Sequence, residues 1–409
     1  MPAFTLVLFD DAVARGWEPF ALSRPAGELL FGTLTLRARA EQVLRTRCSL
    51  QLAAEHLQGF EEAGAPAVAP LSAAPVAGDR LFLCSRALPA WGLRDAPPRL
   101  PARPAPLLID GDVSGWWAPA GTPAPTPEWL AHPAPATRLA PIELPGSVLR
   151  HVWELVVRLP GQIALDVQAL HPDAATPALP AGVHQFGSHP VVLGAGAQVE
   201  PGVVLDTRNG PIWLDEATEV RAFARLAGPL YLGPGSTILG GRLECVALGP
   251  VCKAHGELAH SVLLGYANKS HDGHIGHAYL GRWVNLGAFT TNSDLKNNYG
   301  TVELWTPAGE VDTGELKLGC LFGDHVKTAI GTLLNTGTVV GTGSNLFGAG
   351  MPPKYVPPFS WGVGAGAGRY RLDKFLEATE RAMARRDVPL TPGLREQLAA
   401  AWRRSEPAG

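Results

Sequence analysis

The sequence predicts three parts in order: an α/β N-terminal domain, a left-handed parallel β-helix built from a hexapeptide repeat, and a helical tail. Aliphatic residues that recur at every sixth position predict the β-helix. Short apolar runs that alternate with loops and a helical pattern predict the α/β domain. The predicted bounds are 1–160 for the α/β domain, 161–180 for a linker, 181–360 for the β-helix and 361–409 for the tail.

The six-residue repeat is clearest in the middle of the chain. Its members there are Leu214, Val220, Leu226, Leu232 and Ile238. A period of six matches neither an α-helix nor an alternating strand. It matches flat strands of six residues, three of which close a triangular coil, with the aliphatic side chain pointing inward and coils stabilised by stacking. The alternative is a glycine-rich β-sandwich, which does not explain such regular spacing.

The N-terminal region contains the signals of a buried sheet. The apolar runs Leu6 to Phe9, Leu81 to Cys84 and Leu107 to Ile109 predict strands, and apolar residues between 36 and 44 share one face of a predicted helix. Residues 96–146 contain 13 prolines. Because proline lacks an N–H, we expect the second half of this stretch, 119–145, to be a surface loop or linker.

Two helices are predicted in the tail. Apolar residues from Leu372 to Met383 lie on one helical face, and Thr391 followed by Pro392 is typical of a helix start. We expect both helices to pack on the end of the β-helix and to cover a strand edge.

Composition excludes several classes of function. The formal charge of −3 gives no basic field for nucleic acid or an anionic membrane, so we expect neither partner. No run approaches the ~20 apolar residues of a membrane span, and no signal peptide is recognised. The five cysteines are scattered without a CxxC pair, which favours a reducing compartment and a cytoplasmic location.

Polar residues concentrate between Lys253 and Tyr299, including the run NKSHDGHIGHAYLGRWVNLGAFTTNSDLKNNYG. A β-helix needs apolar inward residues and small corners, so it does not need this run. The repeat also falters between Leu248 and His274, and broken repeats with polar insertions mark the functional face of a solenoid. Lys253 precedes His271 by about one coil, so we expect the two side chains near one another.

Several motifs extend this interpretation. They are LFDD and SRPAGELLFGTLTL near the start, GPVCKAHGE, GYANKSHDGHIGHAYLG and VNLGAFTTNSDLKNNYG in the repeat region, and FSWG near the end. Together they resemble a bacterial branch of the GlmU-type family of sugar nucleotidyltransferases. The resemblance implies a nucleotidyltransferase-like N-terminal domain and an acetyltransferase β-helix. It implies N-acetylation of glucosamine-1-phosphate by acetyl-CoA and uridylyl transfer from UTP, giving UDP-N-acetylglucosamine.

The resemblance also implies roles for individual residues. His271 would be the catalytic base, because an imidazole with a pKa near ~6.5 can accept the proton of an amine. Asn285 would bind substrate, and His274 stands where better-known members have a substrate-binding tyrosine. The backbone of Ala288 would lie near the thioester of acetyl-CoA in a groove between two chains of a homotrimer. Lys253, Lys269 and Lys296 are candidates to hold the sugar phosphate as point charges.

Nucleotide-binding candidates lie in the N-terminal region. Asp110 and Asp112, in LLIDGD, follow a predicted strand and could hold Mg²⁺ with a nucleoside triphosphate. Arg24 could meet phosphates, and Gly27 could allow close backbone approach. The glycine-rich segment LAAGxGxRM of sugar nucleotidyltransferases is absent from the sequence.

Two other functions remain open from the residues. The spacing of His271, His274 and His277 admits a zinc enzyme of the β-helix carbonic anhydrase type, with the metal held between chains. The chain could instead be a non-catalytic trimeric scaffold that binds a sugar nucleotide. Bound zinc would favour the first, and UTP binding without turnover would favour the second.

Overall fold

The computed structural model describes residues 4–135, 139–364 and 366–406. They form two compact units, each described here by itself. The first contains the described residues of Met1–Leu29, Leu34–Val152 and Leu390–Gly409, and the second contains Leu30–Thr33 and Trp153–Pro389. The division predicted at 160, 180 and 360 stays a prediction, although helix Leu159–Leu170 occupies the first half of the expected linker.

A seven-stranded mixed sheet forms the core of the first unit. In spatial order its strands are Ile142–Glu143, Ala105–Ile109, Asp112–Ala118, Arg80–Cys84, Thr5–Phe9, Cys48–Ala53 and Val68–Pro70. Strand Asp112–Ala118 is antiparallel to both neighbours, and the remaining pairs are parallel. Strand Thr5–Phe9, which has a parallel neighbour on each side, is fully buried from Leu6 to Phe9, and this explains why it reads as an unbroken apolar run. Strands Ala87–Pro89 and Gly146–Val148 form a separate antiparallel pair.

Seven α-helices occur in the described residues. They are α1 Ala12–Arg15, α2 Leu36–Leu44, α3 Pro127–Ala131, α4 Glu154–Val157, α5 Leu159–Leu170, α6 Leu372–Ala384 and α7 Pro392–Arg404. Helix α2 confirms the predicted amphipathic helix. The expected loop 119–145 is partly wrong, because Thr126 caps α3 and strand Ile142–Glu143 joins the sheet; residues 136–138 lie outside the described residues.

Three sheets form the walls of the second unit, and the chain visits them in turn. Their strands are parallel except for the last pair of wall 3, Ser360–Trp361 and Gly368–Arg369, which is antiparallel. Wall 1 contains His184–Phe186, Val204–Asp206, Ala224–Ala227, Gly241–Glu244, Glu257–Ala259 and His274–Gly276. Wall 2 contains Val191–Leu193, Ile212–Leu214, Leu230–Leu232, Ala247–Leu248, Val262–Leu263, Tyr279–Leu280, Leu321–Phe322, Val339–Val340 and Tyr355–Val356. Wall 3 contains Gln198–Val199, Glu219–Val220, Thr237–Ile238, Lys253–Ala254, Asn268–Lys269, Asn285–Leu286, Lys327–Thr328, Asn345–Leu346, Ser360–Trp361 and Gly368–Arg369.

This three-walled coil confirms the predicted fold class, an α/β domain followed by a β-helix and C-terminal helices. The aliphatic residues of the repeat from Leu214 to Ile238 have no solvent exposure and belong to one core that runs along the coil. Each inward residue stacks on its counterpart one coil away, so the coils bury their apolar surface against each other.

The position of the interruption differs from the prediction. Leu258 pairs with Leu243 on one side and Ile275 on the other, so the coil continues in register where the repeat seemed to falter. Between Leu248 and His274 only the number of residues at the corners of the coil changes, and this breaks the six-residue spacing without breaking the strand pairing. The real insertion lies between Thr291–Asn292 and Leu321–Phe322, where the chain leaves the coil and forms the hairpin Glu303–Thr306 and Gly309–Asp312.

The last helix does not follow the prediction for the tail. Both tail helices form, and Thr391 caps α7 by accepting a hydrogen bond from the N–H of Leu394. However, α7 belongs to the first unit. Its Gln397 donates to the carbonyl of Ser23 at 3.3 Å, and the Thr391 hydroxyl donates to Glu61 at 2.7 Å. Both partners belong to the first unit, so the expectation that α7 covers a strand edge of the β-helix is not confirmed.

Candidate functional site

A row of polar side chains follows wall 3. In register, Lys253 pairs with Asn268, Asn268 with Asn285, and Asn285 with Lys327. Neighbouring strands lie ~4.8 Å apart, and alternate residues point to opposite faces of a sheet. The four side chains therefore lie side by side on the outer surface of the coil.

This row lines a cavity of about 500 Å³, which we call the wall 3 cavity. Its lining residues are Leu239, Lys253, Tyr266, Asn268, Ser270, Trp283, Val284, Asn285, Lys327, Ala382, Arg385 and Arg386. The amide of Asn268 donates to Asn285 Oδ1 at 2.7 Å and its Oδ1 accepts from the Ser270 hydroxyl. Two residues predicted to bind substrate, Lys253 and Asn285, thus line one cavity.

The charge of the wall 3 cavity is wholly positive. Lys253, Lys327, Arg385 and Arg386 line it, and no carboxylate does. Within the described part of the chain, none of these four cations forms an ion pair. Desolvation by the surrounding protein lowers the pKa of Lys327 to about 8. A cavity of this kind attracts an anion with several negative oxygens.

Stacked aromatic rings form one side of the same cavity. The rings of Tyr266 and Trp283 are 4.3 Å apart with an interplanar angle of 20°. The guanidinium of Arg282 lies 5.4 Å from the centre of the Tyr266 ring. Because each ring is fixed by its neighbours, the rings provide a rigid apolar wall beside the cations.

His271 is exposed at the corner that leads from wall 3 to wall 1. Ser270, just before it, lines the wall 3 cavity, whereas Asp272, just after it, lines a second groove on wall 1. The backbone N–H of Phe289 donates to the Asp272 carbonyl at 2.9 Å, which joins this corner to the next one, where Ala288 lies. The predicted base and the predicted thioester-binding backbone are therefore on adjacent corners.

The second groove, which we call the wall 1 groove, has a volume of about 540 Å³. It is lined by Gly241, Arg242, Gly256, Glu257, Asp272, Gly273 and His274. Asp272 Oδ1 lies 3.3 Å from His255 Nδ1, and Glu257 Oε2 lies 3.5 Å from His274 Nδ1. Two carboxylates thus face this groove, each beside a basic side chain, and Glu257 Oε1 also lies 3.9 Å from Arg242 Nη1. The groove therefore offers both acceptors and donors to a polar ligand.

Asp294, from the insertion, lies among histidines of wall 1. Its Oδ2 is 2.7 Å from His277 Nδ1 and 3.8 Å from His274 Nε2. Hydrogen bonding to His274, the larger effect, and to His277 holds the pKa of Asp294 far below its usual range. Asp294, the larger effect, and Glu257 raise the pKa of His274. Burial lowers the pKa of His260, whose ring stacks on the His277 ring with 4.6 Å between the ring centres. Predicted substrate contact His274 is therefore held in a carboxylate cluster.

Two predicted phosphate ligands lie elsewhere. Lys269 is only 2% exposed, because it occupies an inward position, and its ammonium donates to the His271 carbonyl inside the coil. Lys296 lies in the insertion, 3.9 Å from Glu303 Oε2. Neither lines the wall 3 cavity, so the structure does not bring the three predicted lysines together.

The nucleotide-binding candidates of the first unit are largely enclosed. Arg24 is 2% exposed and pairs with Glu62 at 2.8 Å. At Gly27 a Cβ would lie 2.2 Å from Gln51 Oε1, so its backbone is packed against a side chain. Asp10, at the carboxyl end of the central strand, accepts from the N–H of Ala26 at 3.0 Å, and burial raises its pKa to about 6.

Asp110 and Asp112 converge on a cation that the chain itself supplies. Arg150 Nη2 lies 3.2 Å from Asp110 Oδ2 and 2.8 Å from Asp112 Oδ2. Because the Arg150 guanidinium already pairs with both carboxylates, this arrangement does not fit a resident Mg²⁺.

The described residues hold neither a further metal site nor a membrane-spanning helix. Across 4–135, 139–364 and 366–406, no group of three His, Cys, Asp or Glu side chains is placed to hold a metal within one chain. No helix in those ranges is long and apolar enough to cross a membrane. All five cysteines are unpaired and buried.

Sequence reasoning missed Lys327, Arg385, Arg386 and Asp294. Lys327 and Asn285 are paired, but the insertion separates them in sequence, which hides the spacing that linked Lys253 to this row. The two arginines follow α6 and carry no motif that points to the cavity. Only the fold brings these side chains to the site.

Residues 6–174 match the model of the sugar nucleotidyl transferase family. No curated protein matches the chain. The N-terminal region is thus sugar-nucleotidyltransferase-like.

Proposed function

We propose that the chain is a sugar-nucleotide enzyme that N-acetylates glucosamine-1-phosphate and then transfers a uridylyl group, giving UDP-N-acetylglucosamine. One observation carries the acetyl step: His271 stands at a corner between a cationic cavity and a groove whose lining includes two carboxylates, Glu257 and Asp272. The phosphate of the acceptor matches the cationic cavity, and its amine and hydroxyl groups can donate to the carboxylates of the groove. The family match of residues 6–174 supports the uridylyl step.

In the proposed acetyl step, Lys253 and Asn285 hold the sugar phosphate while His271 accepts a proton from the amine. The amine nitrogen attacks the thioester carbonyl of acetyl-CoA, the C–S bond breaks, and coenzyme A leaves as a thiol after protonation. The Ala288 N–H stabilises the oxyanion of the tetrahedral intermediate. His274, held beside Glu257 and Asp294, would orient the acceptor in the wall 1 groove.

The acetyl-CoA groove would form between chains of a homotrimer. Phe289 is 59% exposed and Ile330 is 79% exposed, and both lie at corners beside Ala288. Large apolar side chains left open at successive corners favour cover by another chain. Light scattering of the purified protein tests this, and a monomer at micromolar concentration would contradict it.

In the proposed uridylyl step, a phosphate oxygen of the acetylated sugar attacks the α-phosphorus of UTP, supplied as its Mg²⁺ complex, and pyrophosphate leaves. The carboxyl ends of strands Thr5–Phe9 and Ala105–Ile109 carry Asp10, Asp110 and Asp112, where ligands of open α/β sheets bind.

The test is an assay of the full chain with glucosamine-1-phosphate, acetyl-CoA, UTP and Mg²⁺. We expect release of free thiol that depends on the amino sugar, and release of pyrophosphate that depends on the acetylated product. Thiol release without pyrophosphate would remove the uridylyl proposal alone. Absence of both products from a folded trimer would overturn the proposed function.

A further inference from the structure

The wall 3 cavity draws its cations from two separate parts of the β-helix unit. Lys253 and Lys327 come from wall 3, whereas Arg385 and Arg386 follow α6. We infer that this cavity is a phosphate-binding site in which Lys327, Arg385 and Arg386 act together with Lys253. The inference deepens the proposed function. It rests on the proposed function only for the identity of the substrate that carries the phosphate.

The first argument is electrostatic. Four cations that line about 500 Å³ repel one another, and no carboxylate in the lining offsets this repulsion. The whole chain is slightly acidic, with a formal charge of −3, so the cluster does not reflect a generally basic surface. A dianionic phosphate ester offers the charge and the three acceptor oxygens that such a set of donors can satisfy.

The second argument concerns position. Arg385 is the C-cap of α6, and a helix C-terminus by itself favours a nearby cation. That effect does not account for Lys327, which lies on wall 3 and whose nearest polar partner is the His325 carbonyl at 3.4 Å. Because burial lowers the pKa of Lys327, its charge there is costly without an anion.

The third argument is rigidity. The Phe375 ring of α6 packs against the rings of Phe359 and Tyr370, with 5.0 Å and 5.9 Å between the ring centres. These contacts fix the helix on the coil. The wall 3 donors are fixed by strand pairing. Donors held by two rigid supports are preorganised, so little conformational entropy is lost when phosphate binds.

The experiment is calorimetric binding to the full chain with two pairs of ligands that differ in phosphate. One pair is glucosamine-1-phosphate and glucosamine; the other is coenzyme A and pantetheine. We expect the phosphorylated member of at least one pair to bind ten or more times tighter, with affinity falling as salt rises. The pair that discriminates identifies the source of the phosphate. If neither pair discriminates, the inference is wrong.

Variants test the named residues. Arg386→Gln and Lys327→Met should each weaken the discriminating phosphorylated ligand about tenfold and leave its unphosphorylated partner unchanged. Arg381→Gln is the matched control, because Arg381 is exposed on α6 and pairs with Glu377. Circular dichroism checks folding, and Arg385→Gln serves if either variant misfolds. Wild-type affinity in folded variants would overturn the assignment. Because binding needs no turnover, the inference can hold even if acetyl transfer fails.

Discussion

Asp10 and Lys269 are charged residues with almost no exposure, 3% and 2% respectively. Burial penalises the charged form of each: it raises the pKa of Asp10 to about 6 and lowers that of Lys269 to about 8. Both residues lie beside predicted functional elements, Asp10 at the strand end before the Arg24 loop and Lys269 beneath the His271 corner. A buried charge that costs stability points to a role in the site.

Asp10→Asn should stabilise the protein at neutral pH. The folded pKa of Asp10 lies above its unfolded value of 3.8, so its contribution to stability is present below pH 4 and is lost as pH rises through 6. Asparagine removes the charge and can still accept from Ala26. We expect a gain on the order of 1–3 kcal/mol at pH 7 and almost none at pH 4, measured by urea unfolding.

The exposed carboxylate Asp173 provides the control for that experiment, because Asp173→Asn should change stability little at either pH. A gain in the Asp10 variant that is equal at pH 4 and pH 7 would show that titration of Asp10 is not its source.

Lys269→Met should separate stability from activity. Methionine fills a similar length without a buried charge, so the coil should unfold no more easily at pH 7. The His271 carbonyl loses its donor, however, and the corner that carries the base is less well fixed. We expect kcat of acetyl transfer to fall about tenfold with little change in KM. Unchanged kcat would assign Lys269 to the coil alone.

At the scale of elements, stability of the β-helix comes from stacking between coils. Leu280 of wall 2 has no exposure and sits between its paired neighbours Leu263 and Phe322. Its contact with Phe322 bridges the insertion, because Leu280 precedes the inserted hairpin in sequence and Phe322 follows it. The inward ladder therefore holds together two stretches that the insertion separates in sequence.

Leu280→Ala should cost about 2–5 kcal/mol, since it removes buried contacts on both sides and leaves a cavity. Leu333→Ala, at a 53% exposed position, is the matched control and should cost less than about 0.5 kcal/mol. Chemical denaturation followed by circular dichroism measures both. Equal losses in the two variants would argue against stacking as the main source of stability.

For the whole molecule, the two compact units suggest that the two proposed reactions have separate machinery. His271 lies on the β-helix, whereas the family match begins at residue 6 and ends at residue 174. His271→Gln should lower thiol release 10²–10⁴-fold, because the proton acceptor is lost. Pyrophosphate release from N-acetylglucosamine-1-phosphate and UTP should keep its wild-type rate. Parallel loss of both activities would show that the reactions share residues or depend on one another.

The six-residue spacing was enough to predict the coil, because it identifies the aliphatic residues of the repeat from Leu214 to Ile238 as inward-pointing, and all of them are buried. The same holds for α2 and for the cap of α7 at Thr391, whose signals lie within a few residues. Lys253 and Asn285 stand out in the sequence as polar residues in a repeat that should be apolar. Lys269 stands out in the same way and is predicted to hold phosphate, but it occupies an inward position that the sequence does not show.

The kinds of element and the periodic core follow from the sequence alone, since they depend on side chains a fixed distance apart along one strand or helix. Tertiary structure decided which distant residues meet: Lys327 beside Asn285 across an insertion, and Arg385 and Arg386 beside wall 3. It also decided that α7 joins the N-terminal unit. Such contacts depend on corner lengths and on helix packing, which no local spacing records.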